Sequence, residues 1–67
     1  MSMSYDAIND MFRTVLEQEE MVLDLYSKIV MKVKNQEVVN ALKEIMKDEA
    51  RHIENAKKIL EILAESV

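Results

Sequence analysis

The chain has no cysteine, glycine, proline or tryptophan, and its only aromatic rings are one Phe and two Tyr among 67 residues. Without cysteine there is neither a disulfide nor a thiolate metal site, the usual supports of a domain this small. Without glycine there is no phosphate-cradling loop of the Walker or dinucleotide type. Without glycine or proline the tight hairpin turns of a small β-barrel lose their preferred residues. Three rings are too few for a base-stacking platform, and a net charge of −4 disfavours a phosphate backbone as partner. No apolar run approaches membrane-span length, and Met1-Ser2-Met3-Ser4 lacks the basic and apolar regions of an export signal. The expectation is a cytoplasmic protein with no nucleic-acid or membrane partner. Charge is also even along the chain: Tyr5 to Lys34 holds six acids and four bases, Gln36 to Val67 seven and five.

What is present is helical periodicity. An apolar seam runs Ile8, Phe12, Val15, position 19, Val22, Tyr26, Ile29 and Val33, with Leu16, Leu23 and Val30 as a flanking row. Steps alternating four and three are the rhythm of a helix packed lengthwise on others. The second half repeats it: Val38, Leu42, Ile45, position 49, position 52, Ala56, Ile59 and Leu63, flanked by Val39, Met46, Ile53 and Leu60. The step of five from Val33 to Val38 breaks the alternation, and Asn35 suits either a left-handed helix end or an N-cap. The single domain 1–67 therefore reads as an all-α antiparallel hairpin. Helix 1 is expected at about 5–34, the turn at about 35–36 and helix 2 at about 37–65. Stripes this wide exceed what one partner helix covers. A second hairpin is expected to complete a four-helix bundle, making the protein a homodimer at minimum.

Three seam positions are not apolar: Glu19, Glu49 and His52. An unpaired buried carboxylate costs several kcal/mol, so a purely structural seam gains nothing from them. Glu49 and His52 are three apart, hence neighbours on one helical face. The midpoint of 19 and 49 is 34 and that of 19 and 52 is 35.5, so both pairs fold about the expected turn. All three side chains are expected at one level, pointing inward. Two-fold doubling then gives four carboxylates and two imidazoles, one Glu from each of two helices and Glu-x-x-His from each of the other two. Four carboxylates nearly neutralise two divalent cations. The set suits two Fe ions per dimer, with Mn or Zn also compatible.

Glu19-Glu20-Met21-Val22-Leu23-Asp24-Leu25-Tyr26 resembles the first-helix signature of ferritin-like and rubrerythrin-like proteins. Asp48-Glu49-Ala50-Arg51-His52 resembles their second-helix motif. The thirty-residue step from Glu19 to Glu49, within one hairpin, is similar to that of encapsulated ferritins, and the resemblance spans roughly residues 8 to 65. It implies an inter-subunit ferroxidase-type di-iron centre oxidising Fe(II), for iron handling or storage. Its metal ligands and catalytic residues are Glu19, Glu49 and His52, with Tyr26 beside them. It further implies assembly of dimers into a higher ring and an encapsulating shell protein, placing the chain inside a nanocompartment. The chain departs from that pattern at Gln18 and Met21, where the family carries acids thought to serve metal entry, and at Leu25, where an aromatic often precedes the Tyr. The family's C-terminal targeting extension has no counterpart in Glu65-Ser66-Val67.

Two rival functions share these residues. One is rubrerythrin-like peroxide scavenging with an external reductant. The other is a non-enzymatic helical assembly module whose buried polar layer only sets register. Glu17, Glu20, Asp24 and Asp48 read as solvated faces, and Met11, Met21, Met31 and Met46 as adaptable filler.

Overall fold

The computed structural model describes residues 4–66. They form two helices, α1 (Tyr5–Lys32) and α2 (Gln36–Glu65), packed antiparallel as a hairpin 50 Å long and 17 by 15 Å across. No strand occurs among the described residues, and no helix among them is long and apolar enough to cross a membrane.

Both helix starts are capped by a side-chain oxygen. Ser4 accepts from the Ala7 amide at 3.2 Å and Asn35 from the Val38 amide at 3.1 Å, each satisfying a donor that the first turn leaves free. α1 ends at Lys32, two residues before the expected end at 34, because Val33 turns to an extended conformation (φ −95°, ψ 132°). Its amide still donates to the Ile29 carbonyl. Asn35 is also extended (φ −68°, ψ 120°), so α2 begins immediately after it, at 36 rather than 37. Of the two roles open to Asn35 the chain uses the N-cap, and no positive φ occurs among the described residues.

The seams divide when the helices meet. On α1, Leu16, Glu19, Leu23, Tyr26 and Val30 are half-buried toward α2, as is Val33 just past its end, while Val15, Val22 and Ile29 stay exposed. On α2, Leu42, Met46, Glu49, Ile53, Ala56, Leu60 and Leu63 turn inward, while Val38, Ile45, His52 and Ile59 are exposed. The row expected as an outer flank thus packs within the hairpin, and part of the main seam lies on an open apolar face. Steps of seven (15, 22, 29 and 38, 45, 52, 59) keep that face straight along both helices.

The hairpin buries little by itself. Among the described residues only Ile53 and Ala56 fall below a tenth exposed, at 8% and 9%, and no side chain is fully enclosed. The open apolar stripe is left uncovered by the hairpin's own two helices.

Candidate metal centre

Glu19 sits mid-helix, with fourteen residues of α1 before it and thirteen after. Glu49 has thirteen residues of α2 before it and sixteen after, and His52 reverses those numbers. The antiparallel fold therefore brings all three to the middle of the hairpin. One ligand atom from each lies within 4.8 Å of the others. Donors to a single first-row cation at about 2.1 Å stand roughly 3–4 Å apart, so small rotations about side-chain bonds close the set on an ion.

The three residues do not share one environment. Glu19 and Glu49 are half-buried between the helices, flanked along their rows by Leu16, Leu23, Met46 and Ile53. His52 is exposed on the open face, one step outward from Glu49. The expectation that all three point inward is met by the carboxylates, whereas the imidazole reaches the cluster from the open side. The physical reason is the three-residue offset on α2, which rotates His52 away from Glu49 toward the Val38–Ile45–Ile59 row.

One atom of the cluster stands out. Glu49 Oε2 is buried without a hydrogen-bond donor. A buried carboxylate oxygen normally takes a donor or a cation, and leaving it bare costs about 1–3 kcal/mol. The facing group is Glu19, a second acidic side chain whose oxygens offer acceptors and repel those of Glu49. A divalent cation answers both deficits, and two carboxylates with one imidazole form the oxygen-rich, nitrogen-containing set of Fe, Mn or Zn.

The neighbouring acids are engaged elsewhere. Asp48, adjacent in sequence to Glu49, accepts from Arg51 at 3.2 Å, and Asp24 pairs with Lys28 at 2.9 Å. Glu20 reaches across to Lys57 at 3.9 Å, an exposed cross-helix pair worth little energetically that does no more than respect the register. Sequence inspection had not singled out that pair, since the two residues fit no common periodicity. Glu17 is exposed. Tyr26 is half-buried on the same inward row as Glu19, seven residues on. That is about 10 Å along the axis, beyond direct ligation and within the layer that shields the carboxylates. Compared with protein-family models, curated proteins and solved structures, the chain matches none of them.

Proposed function

We propose that this chain is half of a di-iron carboxylate centre: two hairpins associate through their open faces into a four-helix bundle of ferritin-like type and oxidise Fe(II). The observation that supports this most is the bare Glu49 Oε2 inside a cluster of the ligand types such a centre needs. In this reading Glu19, Glu49 and His52 of each chain hold two iron ions per dimer. Iron held there would supply the redox chemistry of the Fe(II)/Fe(III) couple. The chain's own residues do the rest. Glu19 and Glu49 hold the cation charge between the helices, and His52 supplies the nitrogen donor from the open face. Leu16, Leu23, Met46 and Ile53 exclude water above and below, and the Tyr26 hydroxyl lies one layer toward the turn.

Native mass spectrometry with Fe(II) is expected to give two metals per dimer. Glu49→Gln is expected to abolish that stoichiometry with helicity unchanged by circular dichroism, and to reduce aerobic Fe(II) oxidation to the buffer rate. Oxidation persisting in that variant sinks the assignment. Peroxide scavenging with an external reductant uses the same ligands. Faster turnover with hydrogen peroxide than with dioxygen, only when a reducing partner is present, marks it. A register-setting assembly module is marked instead by a parent protein that never takes up metal and by a loss of helix register when Glu19, Glu49 and His52 are replaced with Leu.

A further inference from the structure

The layers on the two sides of the cluster differ in chemistry. In the antiparallel register that brings Glu19 to Glu49, Leu16 falls at the level of Ile53 on the open side and Leu23 at the level of Met46 on the turn side. Met46 is half-buried on the inward row, three residues before Glu49. That makes it a neighbour on the same helical face, about 4.5 Å along the axis. Helical side chains lean toward the N-terminus of their own helix, over the preceding turn. The Glu49 carboxylate, whose Oε2 is buried without a donor, therefore leans over the Met46 turn and away from Ile53.

Oxidisable groups are few in this chain. With no cysteine, thioethers are its only sulfur nucleophiles. Met11, Met21 and Met31 lie outside the inward row and are 58%, 63% and 85% exposed. Leu16, Leu23 and Ile53 offer no lone pair, and Tyr26 stands about 10 Å from Glu19 along the axis. Among the described residues, Met46 is thus the sulfur that borders the cluster.

Resting on the metal-centre reading above, we infer that Met46 is a modification site, its thioether oxidised to the sulfoxide by hydrogen peroxide arising at the cluster. Dioxygen that takes two electrons from the Fe(II) substrate, with two protons, becomes hydrogen peroxide. A lone pair of Met46 Sδ attacks one peroxide oxygen. The S–O bond forms as the O–O bond breaks, and the second oxygen leaves with both protons as water. Sulfur gives up two electrons and the peroxide takes them, so no further reductant enters. A cation at the cluster polarises the peroxide, an advantage that Met11, Met21 and Met31 lack. The product is a polar side chain in place of a flexible apolar one, set beside Leu23, whose side chain offers it no donor. Oxidation of Met46 opens the layer that shields the centre on the turn side, and so limits how long the centre runs.

The test loads the full chain with one Fe(II) per chain, exposes it to air with catalase present, and maps methionine sulfoxide by peptide mass spectrometry. Catalase clears peroxide from bulk solution, so the oxidation that remains is local. Met46 is expected to be modified first, against the order of exposure. Metal-free protein in bulk hydrogen peroxide is expected to give the reverse order, Met31 first, because access then decides. Glu49→Gln is expected to lose the preference for Met46. Native mass spectrometry of the same samples reports the iron. Iron taken up and oxidised while Met46 is modified no faster than Met31 overturns the inference and leaves the centre standing. Met46 leading in metal-free protein, or in Glu49→Gln, overturns its link to the cluster. No iron uptake overturns the centre and the inference with it.

Discussion

At the scale of single residues the most informative atom is Glu49 Oε2. A buried oxygen without a donor is a standing cost in the metal-free protein, and residues that lower stability in this way are commonly those a binding site requires. Replacing Glu49 with Leu is therefore expected to raise the stability of the metal-free protein by about 1–3 kcal/mol, read from urea denaturation followed by circular dichroism. The same variant is expected to take up no iron. A variant that is destabilised instead shows that Glu49 already has a partner in solution. Candidate ligands were legible in the sequence because a carboxylate or imidazole breaks an apolar seam at a countable position. Their unequal exposure was not legible. Periodicity assigns a residue to a stripe about a third of the helix circumference wide, and only the neighbouring helix decides which edge of the stripe is covered. Glu49 and His52 lie on opposite sides of that edge.

At the scale of elements the two helices owe their starts to one side-chain oxygen each. Asn35→Ala removes the acceptor for the Val38 amide and is expected to cost about 1 kcal/mol, measured as a lower denaturation midpoint. Asn55→Ala, at an exposed mid-helix position, is expected to stay within about 0.5 kcal/mol. Equal effects from the two would mean that the cap does not hold α2 in place. The break between helices was readable because the step from Val33 to Val38 fits no helical rhythm and because Asn35 stands between them. Its exact bounds were not, since Val33 carries a good seam residue into the connection yet adopts an extended backbone. Which row packs against which was equally hidden. Leu16, Leu23 and Val30 differ from Val15, Val22 and Ile29 by a single position, and both rows are apolar. Leu16, Leu23, Tyr26 and Val30 turn toward α2, and Val15, Val22 and Ile29 stay outside.

At the scale of the whole molecule, only Ile53 and Ala56 are buried among the described residues, a small core for a hairpin standing alone. Its melting temperature is expected to rise with protein concentration, as it does when folding and association are one event. Ile45→Asp, on the open face, is expected to give a monomeric chain of low helicity by sedimentation and circular dichroism. Lys47→Asp, on an exposed side of α2, is expected to leave the dimer intact. Identical behaviour of the two variants would remove the open face from the assembly. The central position of Glu19 and Glu49 has one more consequence. A long helix curves, and it frays from its tips, so displacement grows toward both ends and is smallest at mid-span. Glu19, Glu49 and His52 stand at that node, so their mutual distances change least while the tips bend, loosen or re-form.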